Sequence, residues 1–225
     1  MTPYLRAGIP GDFRPFACLE PDGRLTGHDV ELLEALAREA GMELRIVPTD
    51  WTGLAEGLGR DYEVAAGGVS ITPEREARGD FLPAYAPFWK TGIVRREALG
   101  RFRSPEDLND PSVTVIKNPG GTNERWVDAN LTRARVILEP DNVAIPSRVA
   151  AGDGDLMVTD VTEARHYAAL DERLAVLPFP LTPVETKGIW MAKGWADASR
   201  LRNAWTRLEE DDTLRRLLAR WELEA

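Results

Sequence analysis

Val113-Thr114-Val115-Ile116 is an apolar, β-branched run, and the chain changes character directly after it: Lys117-Asn118-Pro119-Gly120-Gly121-Thr122-Asn123-Glu124, then Arg125-Trp126-Val127-Asp128-Ala129-Asn130-Leu131. The first run suits a buried strand, and the last reads as a helix. A strand, a glycine turn and a helix start in that order constrain the fold strongly, because such a strand needs neighbours in a sheet and the helix needs a sheet face to cover. The same geometry brings free backbone N–H groups together on an anion. Gly120 and Gly121 let a ligand approach the backbone closely, and Thr122 is placed to cap the helix while offering its hydroxyl. An ordinary βα turn is the other reading of these residues.

The pattern recurs. Val64-Ala65-Ala66-Gly67-Gly68-Val69 reads as a small, buried strand and runs into Ser70-Ile71-Thr72-Pro73-Glu74-Arg75; Asp155-Leu156-Met157-Val158 reads as a strand and runs into Thr159-Asp160-Val161-Thr162-Glu163. Further strands are expected at 5–9, 44–48, 93–94, 135–138, 174–177 and 188–192. A helix starts at His28, with Val30, Leu32, Leu33, Leu36, Ala37 and Ala40 at helical spacing and Gly41 as the stop. Another is expected from Val143 to Ala151, stopped by Gly152, and a last amphipathic one from Asp197 to about Trp221. Phe13, Pro15 and Phe16 read as a loop. Strands alternating with helices predict an α/β fold with sheets of parallel type. The segments around Phe88 and Pro183 are proline-rich and read as a two-strand hinge. They divide the chain into lobe one, 1–88 with 186–225, and lobe two, 89–185, with a ligand cleft expected between them.

Composition narrows the partners. The chain has 225 residues and a net charge of −9, which argues against nucleic acid or an anionic membrane surface. It does not forbid a small anion, because one Arg and a few amides outweigh distant charge at short range. The single cysteine, Cys18, excludes an internal disulfide. No run approaches the roughly 18 apolar residues that span a bilayer, so the chain is not expected to insert in a membrane. Met1-Thr2-Pro3-Tyr4-Leu5-Arg6 enters the first strand without a basic, apolar leader, which fits either a cytoplasmic protein or one whose leader has been removed.

Three strand ends carry candidate chemistry. Ser70 with Arg75 five residues on can grip a carboxylate, against the plain reading of a solvated helix Arg. Asp160 reads as an N-cap on pattern alone, and Glu163 as its capping-box partner. The functional alternative for Glu163 is a carboxyl facing a cleft, held protonated by desolvation and able to donate its proton. Trp51 follows a strand end and is either core or the wall of a ligand site. His28 and His166 lack a second ligand at metal spacing, so no zinc site is expected. There is no Gly-x-x-x-x-Gly-Lys-Ser/Thr loop and no Gly-x-Ser-x-Gly elbow.

Gly27-His28-Asp29-Val30, the Gly-Val-Ser-Ile-Thr-Pro-Glu-Arg segment ending at Arg75, the aromatic hinge and the Gly-Gly-Thr turn together resemble the type-II periplasmic solute-binding proteins of the amino-acid ABC-transporter class. Within that family, Asn118-Pro119-Gly120-Gly121-Thr122-Asn123-Glu124, Pro140-Asp141-Asn142-Val143 and Thr159-Asp160-Val161-Thr162-Glu163 are similar to the cyclohexadienyl dehydratase subgroup. Pro87, Phe88 and Trp89 depart from that subgroup's hinge. The resemblance implies a two-lobed α/β fold and a periplasmic or extracytoplasmic location. It implies that Ser70, Arg75, Gly121 and Thr122 hold a ligand carboxylate and that Asp160 holds an ammonium group. In the dehydratase version Glu163 is the general acid, Asn118 orients the ring, and Trp51 and Phe13 contact the substrate, prephenate or arogenate. That chemistry needs no cofactor. The other implied function is non-catalytic: an amino-acid-binding protein that delivers its ligand to an ABC permease.

Overall fold

The computed structural model describes residues 3–223. Backbone contacts divide the chain into two units, Met1–Pro87 with Thr186–Ala225, and Phe88–Glu185. The chain crosses from one to the other in the segments Ala86–Phe88 and Glu185–Lys187, which pair as a two-stranded sheet.

The first unit is built on a five-stranded sheet in the order Glu43–Pro48, Tyr4–Ile9, Val64–Ala65, Trp190–Ala192, Gly79–Phe81. The first three strands are parallel, and Trp190–Ala192 runs antiparallel to both its neighbours. Helix His28–Glu39 forms because its apolar residues fall on one stripe. Val30, Leu32, Leu33 and Leu36 are buried, and they join Leu5, Ala7, Leu201, Trp205 and Leu208 in one core. Each such leucine contributes roughly 1.5–3 kcal/mol by leaving water. The segment read as a loop at Phe13 is more ordered than its prolines suggest: Asp12–Phe13, Ala17–Leu19 and Leu25–Thr26 make a three-stranded antiparallel sheet. Its strands are only two or three residues long, too short for alternation to show.

The second unit has a five-stranded sheet in the order Arg135–Leu138, Thr114–Lys117, Leu156–Asp160, Lys90–Arg95, Leu174–Val176. Thr114–Lys117 is parallel to both neighbours, and Lys90–Arg95 is antiparallel to both of its own. Helices Thr122–Asn130, Ile145–Ala151 and Val161–Leu170 belong to this unit. Gly152 ends the second of these in the left-handed conformation, φ 91°, as a glycine stop should.

Two boundaries differ from expectation. The last helix is two, Ala198–Glu210 and Thr213–Arg220, broken where Asp212 takes φ 64°. A short polar side chain tolerates that conformation, and a periodicity count passes straight over it. The strand expected at 64–69 pairs only over Val64–Ala65, because Gly67 and Gly68 both turn to positive φ, 104° and 82°.

Candidate functional site

The first unit gathers Phe13, Trp51, Ser70 and Arg75 around the end of strand Val64–Ala65. The Gly67-Gly68 turn is held by Asp29 near the start of helix His28–Glu39. The Asp29 carboxylate accepts from Gly67 N at 2.7 Å and Gly68 N at 2.8 Å, and from the Tyr85 hydroxyl at 2.7 and 2.8 Å. His28 Nδ1 lies 2.8 Å from the same carboxylate, and its ring stacks on Tyr85. Burial works against the charge on Asp29, but the His28 contact, the Gly68 N–H and the Tyr85 hydroxyl outweigh it and hold Asp29 below the usual carboxylate range. Burial, then the charge of Asp29, pushes the Tyr85 hydroxyl well above its own.

The turn so fixed aims two oxygens at one cation. Lys187, 1% exposed, donates to Gly68 O at 2.8 Å and Ser70 Oγ at 3.1 Å, and lies 5.1 and 5.5 Å from the Phe13 and Phe16 ring centres. Arg75 donates to Ser70 O at 2.8 Å, while its own carbonyl accepts from Trp190 Nε1 at 3.0 Å. Thr72 caps the short helix Pro73–Arg78. Trp51 is half-buried: its Nε1 donates to Asp12 at 2.8 Å and its ring stands edge-on to Phe13 at 5.8 Å. The polar handle and the aromatic contact together fix the indole. A Cβ on Gly68 would come 2.6 Å from Phe13 Cδ1 and 2.8 Å from Phe16 Cδ2 at φ +82°. Gly68→Ala is therefore expected to lower stability by about 2–4 kcal/mol, left-handed strain plus overpacking. A denaturant midpoint unchanged from wild type would contradict this.

In the second unit, two strand ends meet through a buried lysine. Lys90 pairs across the sheet with Asp160, and the two are 3% and 1% exposed. Lys90 Nζ donates to Asp160 Oδ1 at 3.1 Å, Thr122 Oγ1 at 2.9 Å and Asn123 Oδ1 at 2.6 Å. Asn123 Nδ2 donates in turn to Thr159 Oγ1 at 3.3 Å, and Thr159 donates to Glu163 Oε2. Asn142 Nδ2 donates to the other Glu163 oxygen at 2.9 Å. Glu163 itself is wholly buried.

Sequence pattern places Ser70, Thr122, Asp160 and Glu163 at the carboxyl ends of strands, but it misassigns what some of them do locally. Thr122 is not the helix cap: Gly121 holds that position, and the Thr122 hydroxyl is turned to Lys90. Asp160 stands at the N-cap of Val161–Leu170 without a side-chain cap bond, and Glu163 closes no capping box. Asp160 is turned instead to Lys90 across the sheet, and Glu163 to Thr159 and to Asn142 in the short turn Asn142–Ala144. The glycine turn is also partly self-satisfied, since Gly120 N donates to Glu124 at 2.7 Å. Asn118 is buried beside it, and Gly121 is half-buried. Sequence pattern assigns no role to Lys90, Lys187, Asn123 or Thr159. The signal present for the two lysines is their setting among apolar and aromatic neighbours, Phe88-Trp89-Lys90 and Lys187-Gly188-Ile189-Trp190, which is unusual for a solvated cation.

The chain belongs to the bacterial extracellular solute-binding proteins, family 3, whose family model matches residues 5–224. It is 38% identical over 174 residues to a cyclohexadienyl dehydratase of Pseudomonas aeruginosa, an alignment that covers 77% of this chain and 65% of that protein's length. It is 29% identical over 226 residues to the L-cystine-binding protein TcyJ of Escherichia coli (strain K12), covering 96% of this chain and 82% of the relative. Among solved structures, the ancestral amino acid-binding protein AncCDT-1, described as a precursor of cyclohexadienyl dehydratase, matches with a TM-score of 0.88 at 32% identity, covering 98% of this chain and 96% of that one. The resemblance and the α/β fold of the type II solute-binding kind expected from the motifs are borne out. No helix among the described residues is long and apolar enough to cross a membrane.

Proposed function

We propose that this chain is a cyclohexadienyl dehydratase-like lyase working in the extracytoplasmic space, with Glu163 as its general acid. The observation that supports this most is the setting of Glu163. Its carboxyl is out of solvent and fixed at both oxygens by Thr159 and Asn142, one turn along from Asp160. Those two bonds fix the carboxyl in one orientation, from which its acid form would deliver a proton to a leaving group. In the first unit, Ser70 and Arg75 are assigned to a substrate carboxylate and Phe13 and Trp51 to an apolar ring. In the second, Asn118, Gly121, Thr122 and Asp160 are the binding residues.

The reaction needs little more than a placed proton. The ring carboxylate of prephenate leaves as CO2, its bonding pair enters the ring, and the ring C–O bond breaks as the hydroxyl takes the Glu163 proton and departs as water. Phenylpyruvate remains, and Glu163 regains a proton from solvent. A positioned acid contributes about 10²–10⁴-fold to such a step. Arogenate follows the same course to phenylalanine. The test is phenylpyruvate formation from prephenate by the purified chain. Turnover above the spontaneous acid-catalysed rate supports the lyase, and none from folded protein removes it.

A second reading, a non-catalytic amino-acid-binding protein serving an ABC permease, draws on the relative of cystine-binding name that aligns over 96% of this chain. It predicts tight amino-acid binding with no chemistry.

A further inference from the structure

We infer that Lys90 makes the second unit's binding groups select ligands without an α-ammonium, 2-oxo acids over α-amino acids. The inference rests on the assignment of Thr122 and Asp160 as ligand-binding residues, and it deepens that reading by naming the substrate class.

Asp160 and Thr122 are the groups that the solute-binding resemblance gives to a ligand's ammonium and carboxylate. Here an internal ammonium already joins them. A lysine head has three N–H donors and no acceptor. In this structure the three are matched by three oxygens, Asp160 Oδ1, Thr122 Oγ1 and Asn123 Oδ1, at 3.1, 2.9 and 2.6 Å. Phe88 adds a ring face 5.8 Å from the nitrogen. The cross-strand register that sets Lys90 opposite Asp160 belongs to the sheet itself, so the pair is built in.

A ligand ammonium brought to Asp160 would have to share one carboxylate with a buried cation or displace it. Displacement would leave Lys90 desolvated and unpaired, which is among the costlier changes a protein interior can suffer. Sharing would set two like charges together where water screens them poorly. Glu163 offers no ready carboxylate, since Thr159 and Asn142 hold it. A 2-oxo acid brings no second cation to this place: where the amino acid carries an ammonium it carries an uncharged carbonyl.

Discrimination of this kind works by repelling the wrong ligand as well as by attracting the right one. It leaves the hydrogen-bond chain from Lys90 through Asn123 and Thr159 to Glu163 undisturbed.

The test is calorimetric binding of phenylpyruvate and L-phenylalanine to the intact wild-type chain, with L-arogenate and prephenate compared as competitors. The oxo member of each pair is expected to bind at least ~10-fold tighter, a difference of about 1.4 kcal/mol. In Lys90→Met the preference should fall below about threefold or reverse, since the buried cation that competes with a ligand ammonium is then gone. Equal affinities in wild type, tighter binding of the amino member, failure of both members to bind, or an unchanged preference in folded Lys90→Met would each overturn the inference. The wild-type comparison decides on its own if the variant does not fold. Turnover is read separately. An oxo preference without turnover would remove the lyase and keep this inference, and turnover with equal affinities would do the reverse.

Discussion

Glu163→Gln is expected to lower kcat for phenylpyruvate formation by about 10²–10⁴-fold while leaving phenylpyruvate affinity within about threefold of wild type. On the proposed assignment the substitution removes the proton that Glu163 would donate and little else. Glutamine keeps the length and shape of the side chain, and its amide can still accept from Asn142 Nδ2, which now donates to Glu163 at 2.9 Å. The Thr159 hydroxyl need only rotate to accept from the new NH2 instead of donating to a carboxyl oxygen. The neighbouring pair of Lys90 and Asp160 is untouched. The separation of kcat from affinity carries the assignment. Equal loss of both would mean that Glu163 holds the ligand or the unit together, and full activity would place the acid elsewhere. A parallel melt distinguishes lost chemistry from lost fold.

Asp29→Ala carries the largest expected effect on stability, about 3–5 kcal/mol, which for a chain of this size corresponds to roughly 10 °C in Tm. One carboxylate is the acceptor for Gly67 N, Gly68 N and the Tyr85 hydroxyl, with His28 beside it, and all of this is out of solvent. Truncation orphans several buried donors at once, and each orphan costs about 1–3 kcal/mol, not fully additively. The turn that presents Gly68 O and Ser70 Oγ to Lys187 would loosen with it. The pH dependence has a definite sign. Because Asp29 is held below its unfolded value of about 3.9, its contribution is complete above that pH and is lost as pH falls through the lower folded value. Asp29→Asn should therefore flatten part of the acid limb of stability below about pH 4 while changing little of the slope near neutrality. An acid limb identical to wild type, or a Tm within a degree for Asp29→Ala, would contradict the role.

Much of the architecture is legible in local pattern. Helix His28–Glu39 announces itself by Leu32, Leu33 and Leu36 at helical spacing, and strand Thr114–Lys117 by its β-branched run. The strand ends at Ser70, Thr122 and Asp160 follow from the same alternation, because a glycine or a small polar residue after an apolar run marks where the sheet stops. What local pattern misjudges is the partner of each polar group. Glu163 three residues after Asp160 has the spacing of a capping box, yet its carboxyl turns to Thr159 and to Asn142, which lies 21 positions away. Thr122 reads as a cap and serves as an acceptor for Lys90.

The sequence by itself therefore determined the fold class, the membership of the solute-binding family and where several strands end, since all three rest on periodicities and short motifs contained within single elements. Only the tertiary structure decided that Lys90 lies against Asp160, 70 positions on, and that Lys187 lies against Ser70, 117 positions back. The reason is physical. A lysine is solvated in every local conformation, and its charge becomes specific only when sheet register carries it out of water and onto oxygens from remote parts of the chain.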